Sequence, residues 1–157
     1  EGPKPVIAAI DGDAIGGGCG LAAACDIRLA SPRSRFGITP AKLGIVYSLY
    51  DTKLLVDILG PAKAKELLFT ANIIEAEEAL RIGMVNHICD DPLAEARKMA
   101  ERMTSLSQHS IAATKSIVGK ILGGQTDDDD ALKADFRNAF VREEFGQRVD
   151  AFVGRKK

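Results

Sequence analysis

The sequence predicts a mixed α/β domain followed by a helical region, because two kinds of pattern occupy different parts of the chain. In the first part, short apolar runs flanked by Pro, Gly or Asp alternate with segments of helical period, which is typical of strands alternating with helices. In the second part, apolar residues recur at helical spacing through successive segments. We place the division between residues 1–105 and 106–157.

Four segments of the first part are predicted to be strands: Val6–Ile10, Asp26–Ala30, Arg35–Ile38 and Met84–Ile88. The helices predicted between them are a run of small residues at Leu21–Cys25, a turn at Thr39–Leu43 that ends at Gly44, a helix from Asp51 that Gly60-Pro61 divides in two, and a short helix at Ala76–Leu80 that ends near Gly83.

The second part is predicted to consist of successive helices. An amphipathic stripe from Leu93 to Met103 already closes the first part, and a second stripe runs from Ile111 to Ile121. Gly123-Gly124 separates the second stripe from a further helix. Thr126 and the run Asp127–Asp130 are expected to supply the N-cap and first-turn negative charge of that helix. A last apolar helix containing Phe145, Val149 and Phe152 precedes the basic tail Arg155-Lys156-Lys157, which we interpret as solubility charge.

Composition excludes several classes of function. The 157 residues carry a net charge of −1, with 46% hydrophobic and 27% charged residues, as in ordinary soluble globular proteins. This balance, the absence of Trp and an aromatic content of 5% disfavour nucleic acid or an anionic membrane as a partner. Neither a signal-peptide pattern nor a long apolar span is present, so a cytoplasmic location is the default expectation.

The three cysteines do not predict a metal site or a disulfide. Cys19, Cys25 and Cys89 lack the close pairing of ligands that is typical of metal sites. Cys19 and Cys25 lie among small apolar residues, so we expect them to be buried, reduced thiols.

The segment Lys4–Asp26 carries the strongest indication of a functional site. Its apolar run Val6–Ile10 is too short for an independent helix, and Gly16–Gly18 follow before a helix of small residues. Consecutive glycines are costly in backbone entropy. At a helix start they leave backbone N–H groups open to a ligand, because no side chain blocks them.

Two other interpretations of these glycines are possible. Gly18, Gly20 and Ala23 fit the dinucleotide fingerprint G-x-G-x-x-A, which also needs an acidic residue about twenty positions later. Between Asp26 and Asp51 the chain has no Asp or Glu, which disfavours that interpretation. In the other interpretation, the glycines serve only close packing of a strand against a helix.

The stretch Lys4–Gly18, K-P-V-I-A-A-I-D-G-x-A-I-G-G-G, closely resembles the signature of the enoyl-CoA hydratase/isomerase (crotonase) superfamily. The resemblance covers nearly the whole chain. Further matching segments are Cys25–Ala30, Phe36–Gly44, Leu68–Thr70, Glu75–Ala79, Gly83–Asn86 and Ala151–Val153.

The resemblance implies a fold, a substrate class and an assembly. Residues 1–105 are expected to form the C-terminal portion of a crotonase-like spiral of ββα turns, and residues 106–157 a helical region that builds homotrimers or hexamers. The substrate implied is an acyl-CoA, with coenzyme A present only as part of that substrate and with neither cofactor nor metal. The resemblance also implies that an N-terminal portion of the family fold, with a second oxyanion-hole N–H, is missing from this chain.

The same resemblance implies the site residues. Gly17 is expected to donate one of the two backbone N–H groups that hold the enolate of the acyl thioester. The residues expected to bind substrate are Gly16, Gly18, Gly20, Pro40 and Phe152.

Gly20 and Pro40 stand where the hydratases of the family carry their two glutamates. Hydration needs an acid/base pair to activate water and to protonate the α carbon. Decarboxylation of a malonyl-type thioester needs only that the enolate oxygen be stabilised. The sequence therefore favours a decarboxylase-like reaction.

Tyr47 is the second expected catalytic residue. The segment Thr39–Leu49 is similar to the methylmalonyl-CoA decarboxylase branch, which has a Thr-Pro pair and a tyrosine at matching positions, although that branch keeps a glutamate where Gly20 stands. By analogy, Tyr47 is expected to hydrogen-bond the leaving carboxylate. The alternative is that its ring only fills the acyl pocket.

Two other functions stay open at this point. One is a hydratase or isomerase whose acid/base groups are relocated, and the other is a catalytically silent homologue retained for CoA binding or assembly. His87 and His109 are expected to be a strand-end and a surface histidine rather than catalysts. Asp127–Asp130 lack the alternating ligand spacing of a calcium loop and are expected to be a solvated helix cap.

Overall fold

The structure is a computed structural model, and it describes residues 2–154. The predicted role of the basic tail, Arg155-Lys156-Lys157, lies outside the described residues. The chain divides into two compact units, one ending at Lys115 and the other beginning at Ser116. The site predicted around the glycines lies in the first unit.

The strands of the described chain are β1 (Ile7–Ile10), β2 (Asp13–Ile15), β3 (Ile27–Ala30), β4 (Arg35–Gly37), β5 (Ile73–Glu75) and β6 (His87–Ile88). The helices are α1 (Gly17–Ala23), α2 (Pro40–Leu43), α3 (Leu49–Thr70), α4 (Ala76–Arg81), α5 (Pro92–Thr104), α6 (Gln108–Leu122), α7 (Asp130–Ala139) and α8 (Glu143–Gly154).

Two successive ββα turns contribute to two three-stranded sheets. Each turn sends its first strand to one sheet and its second to the other, so β1 pairs with β3 and β2 pairs with β4, both parallel. The first sheet has the order β1-β3-β6, and the second has the order β2-β4-β5 with β5 antiparallel. In register, Ala14 of β2 lies opposite Phe36 of β4. This arrangement confirms the crotonase-like α/β fold expected for the first part.

The hydrophobic core of the first unit draws on both sheets and on the helices beside them. Its largest fully buried apolar side chains are Phe36, Leu29, Ile38, Leu55, Met84 and Val85. Helix α1 packs against β2 and α3, and α5 packs against β1 and β3. Because α1 and α3 are held together by this core, the segments at their N-terminal ends are neighbours.

Most predicted elements are confirmed, with corrections. The helix expected over Leu21–Cys25 begins and ends earlier, at Gly17–Ala23. The short strands β2 and β5 are not among the predicted elements. The strand expected over Met84–Ile88 is reduced to His87–Ile88. The N-cap of α7 is Asp129, whose side chain accepts the backbone N–H of Leu132 at 2.8 Å, rather than Thr126.

The glycines that were predicted to end helices lie at helix ends in the structure. Gly60 has φ 73° and ψ 162°, and it divides α3 where Gly60-Pro61 was expected to end one helix and begin the next. Gly44 ends α2 with φ 65°, and Gly83 follows α4 with φ 81°. Residues with a side chain rarely adopt these positive φ values, so glycine suits each helix end.

Arg28 connects the segment before β6 to strand β3. Its side chain is 6% exposed, and its guanidinium donates from Nε to the carbonyl of Met84 at 2.7 Å and from Nη1 to the carbonyl of Cys25 at 2.7 Å. The backbone N–H of Arg28 donates to Oδ1 of Asn86 at 2.8 Å. The buried Arg28 in strand β3 therefore hydrogen-bonds to polar groups of this segment and holds the segment against the sheet.

The second unit holds the C-terminal part of α6 with α7 and α8, and it leaves large apolar side chains exposed. Phe140 makes edge-to-face ring contacts with Phe136 and Phe145, at centroid distances of 5.2 and 5.5 Å. Each of these three rings is still exposed to solvent, as are Val141 and Phe152. Over residues 2–154, every helix is too short or too polar to cross a bilayer.

We predict that Arg28→Ala lowers the free energy of unfolding by about 2–4 kcal/mol, because buried carbonyl groups lose their charged donor. The matched control is Arg33→Ala, which removes a solvent-exposed ion pair with Asp11 and should leave stability within error. Urea denaturation of the full-length variants measures both. Equal stability losses in the two variants would contradict the structural role of Arg28.

Candidate functional site

The turn between β2 and α1 is fixed by one backbone hydrogen bond. The N–H of Gly16 donates to the carbonyl of Gly37, at the end of β4, at 2.8 Å. Gly16 has φ 58° and ψ −118°, a conformation that strongly favours glycine. Helix α1 then begins at Gly17, and the N–H of Gly20 donates back to the carbonyl of Gly16 at 3.1 Å.

Gly17 and Gly18 lie on an open surface. Both are exposed, and a Cβ atom added to either would meet no other atom within 4 Å among the described residues. Close packing of strand against helix therefore does not explain these two glycines. The first N–H groups of a helix lack partners within the helix, so this turn presents donors to solvent.

Two hydroxyl groups border the same turn. A Cβ atom added to Gly16 would lie 3.9 Å from the hydroxyl oxygen of Tyr47 and 4.0 Å from Oγ1 of Thr39. Tyr47 is half-buried and its ring packs against the core. Burial raises the pKa of Tyr47, and nearby Cys19 and Asp51 raise it further. The phenol therefore stays a neutral hydrogen-bond donor at physiological pH.

Pro40 is buried at the first position of α2. Its ring can contribute packing but no proton transfer. The residue before it, Thr39, is the N-cap of α2, yet its side chain does not cap that helix, so its hydroxyl remains beside the Gly16 turn. Because residue 40 is a proline, it supplies no carboxylate to the site.

Gly20 has a carboxylate beside it that the sequence reasoning missed. A Cβ atom added to Gly20 would lie 4.0 Å from Oδ1 of Asp51, near the start of α3. The other carboxylate oxygen of Asp51, Oδ2, accepts the hydroxyl of Ser48 at 2.6 Å. The pattern Ser48-x-x-Asp51 is that of a helix N-cap, and it is visible in the sequence. The sequence does not show that α1 and α3 lie side by side.

Cys19 lies on the buried side of α1. It is fully buried and free, which confirms the prediction for this thiol, whereas Cys25 is only half-buried. Burial raises the pKa of Cys19 to about 11, although a hydrogen bond from the Gly37 backbone opposes the shift. A thiol with that pKa is not a nucleophile near neutral pH.

The other residues singled out in the sequence lie elsewhere. His87 is exposed on β6 and His109 is half-buried in α6. Phe152 is 70% exposed on α8, in the second unit, and its expected substrate-binding role stays a prediction. Asp129 binds Lys120 and caps α7, and these contacts lower its pKa to about 2. In residues 2–154, three or more His, Cys, Asp or Glu side chains are nowhere grouped as metal ligands.

Comparison with known proteins decides the family. The family model described as enoyl-CoA hydratase/isomerase matches residues 1–157. The chain belongs to the enoyl-CoA hydratase/isomerase family. It is 42% identical over 126 residues to a short-chain-enoyl-CoA hydratase of Clostridioides difficile, an alignment that covers 79% of each chain.

Two further relatives show how much of a family member's length this chain covers. It is 38% identical to a crotonyl-CoA hydratase of Syntrophomonas wolfei over 98% of its own length and 60% of the relative's. A solved enoyl-CoA hydratase/isomerase family protein from Hyphomonas neptunium superposes with a TM-score of 0.90 at 39% identity, over 98% of this chain and 59% of that one. This family member thus spans about 60% of the length of such relatives.

We predict that Gly16→Ala destabilises the protein by about 1–3 kcal/mol, because a side chain strains the backbone at φ 58°. Gly18→Ala is the matched control, since the added methyl group has open space in a helical residue and alanine favours helix. Chemical denaturation compares the two. A neutral Gly16→Ala variant would contradict the strained turn described above.

Proposed function

We propose that the protein processes an acyl-CoA by forming a thioester enolate, with the Gly17 N–H as one donor of the oxyanion hole. The observation that carries this proposal is the open Gly16–Gly18 turn. Its conformation is fixed by the hydrogen bond from Gly16 to Gly37, so the donors at the start of α1 are positioned before any ligand arrives. Fixed donors aimed at developing negative charge supply much of the rate in acyl chemistry, with losses of about 10²–10³-fold when one is removed.

The surface beside the turn suits an acyl group. Large apolar side chains are exposed from the end of α2 to the start of α3: Leu43, Ile45, Val46 and Leu49. Exposed apolar side chains beside oriented polar donors are the usual composition of a small-molecule site. Gly18, Gly20 and Pro40 are proposed to line this surface.

Decarboxylation of a malonyl-type thioester is the first candidate reaction. The bond from the α carbon to the substrate carboxylate breaks, its electron pair moves to the thioester oxygen to form the enolate, and CO₂ leaves. The hydroxyls of Tyr47 and Thr39 border Gly16 and are neutral donors to the departing carboxylate. Gly20 and Pro40 supply no carboxylate of their own, which supports this candidate.

Hydration or isomerisation is the second candidate, and one observation favours it. Asp51 places a carboxylate oxygen beside Gly20, where sequence alone indicated none. Two relatives, a crotonyl-CoA hydratase and a short-chain-enoyl-CoA hydratase, are named for reactions of this kind. A relocated acid/base group is what this candidate requires.

Self-association is proposed through residues 106–157. The exposed aromatic and aliphatic side chains of α7 and α8 in the second unit support an interface, because an apolar surface of this kind is usually covered in an assembly. A homotrimer or hexamer in the cytoplasm is the assembly that the family resemblance implies.

Offering the full-length protein methylmalonyl-CoA and crotonyl-CoA separates the two reactions. We expect CO₂ release from the first to exceed hydration of the second. We also expect Tyr47→Phe to lower kcat for CO₂ release about 100-fold, because one oriented donor is lost. Tyr50→Phe, at the exposed second tyrosine of the chain, is the matched control and should be unchanged.

Efficient hydration of crotonyl-CoA without CO₂ release from methylmalonyl-CoA would exclude the first candidate and retain the second. Turnover of neither substrate, with both bound, would support a silent CoA-binding homologue.

A further inference from the structure

We propose that Asp51 is the acid–base residue that removes and returns the proton on the carbon next to the thioester carbonyl. This inference rests on the proposed function and adds to it a specific proton-transfer group. It applies to both candidate reactions, because an enolate formed by loss of CO₂ and one formed during hydration or isomerisation must each gain a proton at the same carbon.

Distance supports the assignment. Oδ1 of Asp51 lies 4.0 Å from the position of a Cβ atom on Gly20. A glutamate at position 20 would hold its carboxylate oxygens roughly 3–4 Å from its own Cβ, given bond lengths of about 1.2–1.5 Å. Asp51 therefore brings an oxygen from helix α3 into the region that a carboxylate on α1 would reach.

The side chain is oriented by its own helix. Ser48 is the N-cap of α3 and accepts the backbone N–H of Asp51 at 3.0 Å through its hydroxyl oxygen. The same hydroxyl donates to Oδ2 of Asp51 at 2.6 Å. The second contact holds the carboxylate by Oδ2, and Oδ1 is the oxygen that lies near Gly20.

Helix capping alone does not account for this geometry. In a capping box, the third residue of the helix uses its side chain to accept the backbone N–H of the N-cap residue. Here Asp51 accepts the Ser48 hydroxyl instead, and its other oxygen lies beside α1. Gly20 leaves the space open, since a longer acidic side chain there would place a second negative charge against Asp51.

The step balances without a co-reactant. The Asp51 carboxylate takes a proton from the α carbon, and the C–H electron pair moves to the thioester oxygen, where the Gly17 N–H stabilises the enolate. In the reverse direction, the protonated Asp51 donates to the enolate carbon. In D₂O, solvent exchange of that proton replaces hydrogen by deuterium at the α carbon.

Deuterium exchange tests the assignment directly. The full-length protein is incubated with butyryl-CoA in D₂O, and loss of the α-proton signal is followed by NMR, with binding measured separately by calorimetry. We expect exchange in the wild type and a loss of about 100-fold or more in Asp51→Asn, the usual range for an acid–base group, with Kd for butyryl-CoA changed by less than about 3-fold. Asp57→Asn, on the same helix and paired with Lys53, is the matched control and should exchange normally.

Two further variants separate chemistry from capping. Ser48→Ala removes the hydroxyl that orients Oδ2 but keeps the carboxylate, so exchange should fall less than in Asp51→Asn. The double variant Gly20→Glu with Asp51→Gly moves the carboxylate to α1 and should exchange faster than Asp51→Asn, even if Asp51→Asn folds poorly. Equal loss in Ser48→Ala and Asp51→Asn, or no recovery in the double variant, would overturn the role of Asp51.

The two proposals fail in different ways. Butyryl-CoA that binds to the wild type without exchange would overturn Asp51 and leave the proposed acyl-CoA site in place. Absence of butyryl-CoA binding would overturn both.

Discussion

The hydrogen bond from the Gly16 N–H to the Gly37 carbonyl is the constraint on which the site depends. It joins the end of β2 to the end of β4 at 2.8 Å, so the two strands finish at the same level. Helix α1 starts on one side of that bond, and the segment carrying Thr39 and Tyr47 starts on the other. The backbone donors and the two hydroxyls therefore meet because two successive ββα turns are in register.

In the account proposed above, helix α3 supplies the carboxylate that helix α1 lacks at Gly20. Helices α1 and α3 lie side by side against the shared core, so a side chain can be lost from one and supplied by the other. Gly20 and Asp51 form such a pair in the account proposed above.

The sequence predicted the parts of this structure that depend on local chemistry. Periodicity and glycine placement located the strand at Ile7–Ile10, the helix break at Gly60 and the end of α2 at Gly44. It failed where the decisive contact is distant along the chain. Arg28 sits in an alternating strand yet is buried, and its guanidinium binds the carbonyl of Met84, 56 residues further along the chain. The relation of Gly20 to Asp51 depends on how two helices pack. A local sequence pattern shows neither the burial of Arg28 nor the proximity of Gly20 to Asp51. The sequence pattern of an N-cap at Ser48 does indicate where α3 begins.

The most direct test of the account is a crystal structure of the full-length protein with butyryl-CoA bound. We predict that the thioester oxygen lies about 2.7–3.2 Å from the backbone nitrogen of Gly17, as a hydrogen bond requires. We further predict that the α carbon lies about 3–3.5 Å from Oδ1 of Asp51, the separation of groups ready to react. A thioester bound with its oxygen turned away from the Gly16–Gly18 turn would contradict the account.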